Sequence, residues 1–310
     1  MRIFLWHVHG SWTTTFVQGK HEYFVPVLPD RPPDGLGRAR TWEWPSSVVE
    51  VSLEEAGSLD VDVLVLQRPS ELHHLARRWL RRVPGRDVPA IYLEHNCPEL
   101  PVTSTDHVAK DRKDVVVVHV THFNDLFWDT GVTRRRVIEH GVVDPGLRYS
   151  GDLPRAAVVV NEPLRRGRAV GQDLYDDFRR TIPLDLFGMA TEPLGGVDLP
   201  QAAMFDEAAR RRVYLHPVRW TSLGLSLIEA MQLGMPVIAL GTTEVVDAVP
   251  PGAGVVSNRL DVLHAALRRL CEEPEEAAEM GRIARRSALG RFGLARFLSD
   301  WDAVLEEVTA

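Results

Sequence analysis

Short apolar segments alternate with helical patterns along the first half of the chain. Runs of buried-type, often β-branched residues bounded by turn residues or charges occur at 3–8, 48–51, 61–66, 90–93 and 115–120. Between the third and fourth runs, apolar residues recur at helical spacing over 71–82. This alternation predicts parallel βαβ units. Residues 20–47, rich in Pro, Gly and Trp, depart from it and are predicted as a long irregular connection.

The second half repeats the alternation. Its candidate strands are residues 156–160, 184–187, 213–216, 237–240 and 254–256. Its candidate helices are residues 172–180, 201–211, 223–233, 259–272, 275–289 and, at the end of the chain, 294–308. The pattern predicts two Rossmann-like α/β domains, at 1–150 and 151–292, followed by a C-terminal helix at 293–310. A chain of 310 residues is long enough for two such domains.

Composition narrows the choice of partner and compartment. The net charge of −7 comes from 43 acidic and 36 basic side chains, so no global cationic field favours a nucleic acid. Cys97 and Cys271 are too few for a disulfide scaffold, which favours a reducing cytoplasm. No stretch reaches the 18 or so apolar residues of a membrane-spanning helix. A soluble cytoplasmic protein is therefore expected.

Several common catalytic motifs are missing from the sequence. It contains no phosphate-binding Walker loop, no His-Glu-x-x-His pair, no Cys-x-x-Cys and no Gly-x-Ser-x-Gly. These absences argue against an ATPase, a zinc enzyme and an α/β-hydrolase. We therefore predict no metal site and no bound cofactor.

The segment 216–237 has the pattern of a strand, a loop, a helix, a turn and a second strand. Thr221 or Ser222 is the predicted N-cap of the helix, and Gly224 allows close backbone approach in its first turn. Gly234 stands where a helix end favours a left-handed residue, and Pro236 follows it. The segment therefore predicts a helix with defined ends between two strands.

Glu229 is the exception in this helix, because its neighbours are almost all apolar. A buried carboxylate is costly unless it is hydrogen-bonded. Ribose hydroxyls of a nucleotide would be suitable donors. A salt bridge to an arginine, or a helix edge that reaches solvent, would explain the residue equally well.

The same segment resembles the donor-site signature of the retaining GT-B glycosyltransferases of family 4 (group 1). That signature is a Pro-Ser-Arg stretch, then Glu-x7-Glu, then Gly-Leu-Pro-Val. The residues in step with it are Pro217, Arg219, Gly224, Leu225, Glu229, Ala230, Met231, Gly234, Pro236 and Val237. The resemblance assigns the second Glu, a ribose contact, to Glu229. Thr221 replaces the first Glu, which in the family hydrogen-bonds the transferred sugar, so the sugar and the catalysis are in question.

Other segments extend the resemblance. The run 161–168 resembles the family's Arg and Lys–Gly stretch with Arg166-Gly167 as the pair, which implies that Arg166 or Arg168 binds diphosphate. The resemblance also assigns His95 to the donor sugar, with His122 as a weaker candidate. Backbone near Gly10 and Glu244 would hold the remaining phosphate and sugar groups.

Simpler interpretations stay open for each of these features. The run 161–168 could be a solvated basic loop, and His95 could be a structural hydrogen bonder. The segment after residue 241 could be an ordinary βα turn, and Thr221 a simple helix cap. Residues 77–82 carry four arginines beside Trp79, which fits a solvated helix face better than weak contact with an anionic membrane surface.

The resemblance implies a GT-B fold, with two Rossmann-like domains facing a central cleft and the last helix packing back on the first domain. It implies a metal-independent, hexosyl-type transferase that moves a sugar from an NDP-sugar to a small-molecule, lipid or glycan acceptor with retention. His95 and Arg166 are its candidate catalytic residues. Donor-binding residues would be Gly10, Arg166, Arg168, Thr221, Gly224, Leu225, Glu229 and Glu244. The alternatives are a non-catalytic sugar-nucleotide-binding protein, and an epimerase or phosphorylase on the same scaffold.

Overall fold

The computed structural model describes residues 1–99 and 101–310, which form two compact units. One unit comprises Met1–Gly141 together with Leu294–Ala310, and the other comprises Val142–Gly293. The second unit thus begins at Val142, upstream of the domain start predicted at residue 151. Each unit is an α/β structure built on its own sheet.

Strands and helices are numbered in chain order. The strands are β1 (Arg2–Leu5), β2 (Glu22–Pro26), β3 (Val48–Val51), β4 (Val63–Leu66), β5 (Ala90–Glu94), β6 (Val116–His119), β7 (Arg134–Val137), β8 (Leu153–Val159), β9 (Leu184–Phe187), β10 (Arg211–His216), β11 (Val237–Ala239) and β12 (Gly254–Val256). The helices are α1 (Gly10–Phe16), α2 (Leu53–Ala56), α3 (Ala76–Leu80), α4 (His122–Phe127), α5 (Pro163–Arg166), α6 (Tyr175–Arg179), α7 (Gln201–Ala209), α8 (Leu225–Leu233), α9 (Val245–Ala248), α10 (Leu260–Glu272), α11 (Pro274–Phe292) and α12 (Leu294–Thr309). Short 3₁₀ turns occur at Val102–Ser104, Gly167–Val170, Gln172–Leu174 and Glu192–Leu194.

The sheet of the first unit has the order β3-β2-β1-β4-β5-β6-β7, and its strand pairs are all parallel. The prediction of an irregular connection over 20–47 was wrong at β2, where Tyr23 and Phe24 pair with both β1 and β3. The edge strand β7 was missed because its three arginines are exposed and give no apolar run. The helix predicted over 71–82 begins as a π-helix, Glu71–Leu75, before α3.

Helix α12 belongs to the first unit and packs by its aromatic stripe. The Trp301 ring lies with its centroid 5.6 Å from that of Trp12 and 4.9 Å from that of Phe16, both on α1. At the helix surface, Asp302 accepts a hydrogen bond from the His21 ring at 2.9 Å. Burial of these rings against α1 supplies both apolar area and edge-to-face contacts.

The sheet of the second unit has the order β12-β11-β10-β8-β9, again parallel throughout. Apolar clusters cover both faces of this sheet. Strands buried on both faces have continuous hydrophobic sequences, which is the pattern seen here. Helix α8 ends at Gly234 in the left-handed conformation with φ 92°, as the sequence predicts. No helix among the described residues is long and apolar enough to cross a membrane.

Candidate functional site

In the second unit, several of the predicted donor-site residues lie directly after strands β8 and β10, near the middle of the sheet. Strands β8 and β10 are neighbours, while the chain after β8 leads to β9 on one side and the chain after β10 leads to β11 on the other. This is a topological switch point, where open parallel sheets form a crevice at the carboxyl ends of the strands. Arg166 follows β8, and His216, Gly224 and Glu229 follow or end β10.

Arg166 is a half-buried cation that forms no direct ion pair with any residue the structure describes. Within residues 1–99 and 101–310, its guanidinium has no hydrogen bond or ion pair, and burial followed by the charge of Arg165 lowers its pKa. The neighbouring arginines, in contrast, form ion pairs with carboxylates. Arg165 pairs with Glu162, and Arg168 with Asp173 at 2.7 Å. The charge of Glu162 acts on Arg166 from a distance, but no carboxylate in the described part of the chain bonds to the guanidinium directly. A half-buried guanidinium of this kind favours an anionic ligand, because a phosphate offers it bidentate, charge-assisted hydrogen bonds.

The segment that directly follows Arg166 and α5 is hydrogen-bonded to the loop after β10. Ala169 accepts backbone hydrogen bonds from Arg219 at 2.8 Å and Trp220 at 3.1 Å. Gly171 has a φ of +75°, and a Cβ there would lie 2.0 Å from the Pro217 carbonyl oxygen, so only glycine fits. The two switch-point loops are therefore held as one assembly, and Arg166 is positioned by it.

His216 ends β10 as a buried, neutral imidazole with a fixed tautomer. Ser226 donates to the Val159 carbonyl at 3.4 Å and accepts from the Tyr214 hydroxyl at 2.9 Å. The Tyr214 oxygen can then only accept from His216 Nδ1, at 3.3 Å, which leaves the lone pair on Nε2. Burial and then the charge of Arg166 lower the pKa of His216 to about 4.

Gly224 precedes α8 and lies against the His216 ring. Its φ of −69° suits any residue, but a Cβ would lie 2.8 Å from His216 Cε1. Gly224, and not Thr221 or Ser222, is the N-cap of α8, and no side chain caps the helix. The prediction of a Thr221 cap was wrong because the helix begins later, at Leu225. Its first N–H groups have no side-chain cap, as an anion site requires.

Two carboxylates of the donor-site prediction are buried in this unit. Glu229 is 7% exposed in the middle of α8, and the preceding Leu225 begins that helix, half-buried. Glu244 lies 3.4 Å from the Arg291 guanidinium and is the N-cap of α9, a helix of only four residues. Helix α9 begins at Val245, directly after Glu244. Arg168, by contrast with Arg166, is 76% exposed at its side chain and already paired with Asp173.

The first unit has its own switch point, between β1 and β4. His9 and Gly10 follow β1, Gln67 follows β4, and His95 follows the next strand, β5. The ring centroids of His9 and His95 lie 4.1 Å apart. Gly10 begins α1 and lies close to Trp42, whose Nε1 would be 3.4 Å from a Cβ at that position. His122, the weaker candidate, is the first residue of α4.

Gln67 fixes the orientation of His95 and was not predicted from the sequence. Its amide nitrogen donates to the Trp6 carbonyl at 2.9 Å, so its amide oxygen faces His95 Nε2 at 3.0 Å. His95 therefore carries its proton on Nε2. Burial, reinforced by His9 and His140, holds its pKa well below the ordinary range, so the ring is neutral. The only signal in the sequence was that Gln67 directly follows a predicted strand.

No group of three or more metal-ligating side chains occurs in the part of the chain that the structure describes. The rings of His9 and His95, which follow β1 and β5, pack against each other. Both cysteines are free thiols.

Comparison with known proteins agrees with this architecture. Residues 200–287, which include Glu229 and Glu244, match the family model described as "Glycosyl transferases group 1". No curated protein matches the chain. Among solved structures, sucrose-phosphate synthase from Thermosynechococcus elongatus is similar with a TM-score of 0.73 at 13% identity, covering 99% of this chain and 98% of that one.

Two further structures cover the chain equally well. HepE of Anabaena in complex with UDP-glucose has a TM-score of 0.68 at 14% identity, over 99% of this chain and 100% of that one. A glycosyltransferase from Rickettsia africae has a TM-score of 0.68 at 13% identity, over 99% and 98%. At such identities the likeness establishes the fold alone. The chain has the α/β fold of GT-B glycosyltransferases, and its family match supports a glycosyltransferase.

Proposed function

We propose that the protein is a nucleotide-sugar-dependent glycosyltransferase that transfers a sugar to an acceptor with retention of anomeric configuration. The observation that carries the proposal is the unpaired guanidinium of Arg166 at the switch point of the second unit. A leaving nucleoside diphosphate gains negative charge as the glycosidic bond breaks. A fixed cation at that place stabilises the transition state more than the ground state.

The other predicted residues take roles around that anion. Glu229 would accept hydrogen bonds from the ribose, as a buried carboxylate in α8 can. The uncapped N–H groups at Gly224 and Leu225 would face phosphate oxygens, and Thr221 would offer a hydroxyl to the sugar. His95 and the backbone at Gly10, in the first unit, are proposed to bind the transferred sugar. No protein nucleophile is invoked, so positioning and leaving-group stabilisation carry the reaction.

The binding part is tested by calorimetric titration with a panel of nucleoside diphosphates and NDP-sugars. Arg166→Gln removes the unpaired cation, and Arg168→Gln is the matched control, since its partner is already Asp173. Loss of a charge-assisted contact of about 1.5–3 kcal/mol weakens binding by about 10- to 150-fold in the first variant. The control should stay within about threefold of wild type. Equal affinities in both variants would overturn the assignment of Arg166.

The transfer part needs a different readout, because a non-catalytic sugar-nucleotide-binding protein would also pass the binding test. Hydrolysis of each NDP-sugar that binds is followed with wild type and Glu229→Ala, and the anomeric proton of the released sugar is read by NMR. Retention and a loss of turnover in Glu229→Ala are expected. Binding without turnover of any sugar nucleotide would favour the non-catalytic alternative. Conversion of the sugar nucleotide to an epimer or a sugar phosphate would favour an epimerase or a phosphorylase.

Three remaining features are part of the same proposal. Turnover should survive a metal chelator, since the anion would be held by Arg166 and helix N–H groups. The acceptor is proposed to be a small molecule, a lipid or a glycan, in keeping with Anabaena HepE, which has been solved with UDP and glucose. We place the reaction in the cytoplasm, where two unpaired thiols stay reduced. Cell fractionation tests that assignment.

A further inference from the structure

His216 has a buried ring nitrogen that no described residue satisfies with a hydrogen bond. The residue is 2% exposed, and its Nε2 has no hydrogen-bond partner within residues 1–99 and 101–310. A buried polar atom without a partner is uncommon and costs free energy, so it calls for an explanation. The ring cannot relieve the cost by changing tautomer, because Nδ1 is committed to the Tyr214 hydroxyl.

The unsatisfied atom lies in the anion site described above. Gly224, the uncapped N-cap of α8, lies so close that a Cβ would come within 3.4 Å of Nε2. Arg166 acts on the ring from α5, and its charge opposes protonation. Among the described residues, neither the guanidinium nor Nε2 of the imidazole therefore has a hydrogen-bond partner at this switch point. One anion would satisfy both groups once Nε2 carries a proton.

We propose that His216 takes up a proton from solvent when a nucleoside diphosphate binds at Arg166, and that Nε2–H then donates a hydrogen bond to a phosphate oxygen. No covalent bond forms or breaks; buffer supplies the proton, and the bound anion supplies the compensating charge. The inference rests on the proposed function, because it assigns a second cation to the same donor site.

The electrostatics of the surroundings support this coupling. Arg166 on α5 acts on His216 directly, and Tyr214 on β10 is hydrogen-bonded to it. Glu229 on α8 and Tyr175 on α6 act on Tyr214. Burial raises the pKa of Tyr175 to about 12 and also raises the pKa of Tyr214, so both stay neutral. A bound diphosphate offsets the Arg166 charge that opposes protonation, and with burial unchanged this raises the pKa of His216.

The consequence for the proposed reaction is a binding site that changes charge with its ligand. In the free protein a neutral His216 avoids two adjacent cations in a buried place. With the diphosphate bound, an imidazolium and a guanidinium together neutralise the charge that the leaving group gains. His216 would thus be a donor-binding residue that the family pattern does not assign.

The test is calorimetric titration of the full chain with UDP and with GDP at about pH 6, in two buffers of different ionisation enthalpy, which gives the protons taken up per ligand. Wild type should take up more protons than His216→Gln, by up to one, whereas uptake by the nucleotide itself is common to both. His264→Gln is the control, since His264 is already bonded to Thr181 and Asp177. It should behave as wild type. Equal uptake by wild type and His216→Gln would overturn the inference.

A second measurement needs no variant that must fold. In ¹⁵N-histidine-labelled wild type, long-range proton–nitrogen spectra should show His216 Nε2 unprotonated in the free protein and protonated when UDP or GDP is saturating. Nε2 that stays unprotonated in a saturated complex refutes the proton uptake and leaves the proposed function intact. Failure of every nucleoside diphosphate and NDP-sugar to bind wild type would instead sink the proposed function, and this inference with it.

Discussion

Helix α11 approaches the end of α8 closely at Gly281. A Cβ built on Gly281 lies 1.9 Å from the Gly234 carbonyl oxygen, and that atom belongs to the left-handed turn that ends α8. The contact would have to open by more than an ångström, and neither partner is a flexible side-chain end. Overpacking of a core costs about 1–3 kcal/mol, and a backbone clash falls at the upper end of that range. Gly281→Ala should therefore lose stability despite the better helix propensity of alanine.

Gly290 on the same helix is the matched control, because a Cβ built at this position meets no heavy atom within 4 Å. There alanine should stabilise by about 0.5–1 kcal/mol through propensity alone. The two variants should thus move the thermal midpoint of the second unit in opposite directions. At about 2–4 °C per kcal/mol for a unit of this size, the midpoints should differ by about 5–12 °C. Calorimetry of both variants gives the comparison, and equal upward shifts would refute the close packing of α11 on Gly234.

Three further predictions concern buried histidines and their neighbours. His119 is fully buried, its ring nitrogens lack hydrogen bonds within the described residues, and burial lowers its pKa to about 3. The unfolded chain therefore binds the proton first, so His119 costs stability as pH falls below about 6.5, at about 1.4 kcal/mol per pH unit. His119→Phe should gain about 1.4 kcal/mol on wild type between about pH 7.5 and 5.5 in urea titrations followed by tryptophan fluorescence; parallel pH profiles would contradict this. Gln67→Glu should raise the pKa of His95, seen as a new NMR titration of that ring, and a ring that still does not titrate would exclude the Gln67 contact. Gly224→Ala should cost about 1–3 kcal/mol, because its φ is ordinary and only the contact with His216 opposes it; an unchanged melting temperature would disprove that contact.

Much of the sheet architecture could be predicted because parallel strands are buried on both faces. The strands at 48–51, 184–187 and 254–256 have the predicted bounds, and the others differ by a few residues. Two strands were missed: β2, although four of its five residues are buried, and β7, which has no apolar run. β2 lies in a stretch rich in Pro and Trp, and β7 is an edge strand with exposed arginines. Edge strands need no apolar run, so hydrophobic patterning does not reveal them.

The start of α8 shows a second limit of sequence patterns. Thr221 and Ser222 have the side chains that favour an N-cap, yet the helix begins at Leu225 after Gly224. Gly224 there makes a tertiary contact, because its backbone lies close to the His216 ring. Local propensity cannot include such a contact. Residues that break a local rule in this way are expected where a fold builds a binding site.

The partners of the site residues were also hidden from the sequence, for a topological reason. Arg166 and His216 follow strands β8 and β10, which are neighbours in the sheet but are separated in the chain by β9 and α7. The family resemblance could select Arg166 because it follows a strand. It could not show that Arg165 and Arg168 form ion pairs with carboxylates, whereas Arg166 forms none with the described residues. No sequence motif assigned a role to His216. Its candidacy comes from a directed chain of hydrogen bonds that leaves one nitrogen unsatisfied beside an unsatisfied cation, and only the folded arrangement of both strands creates that pair.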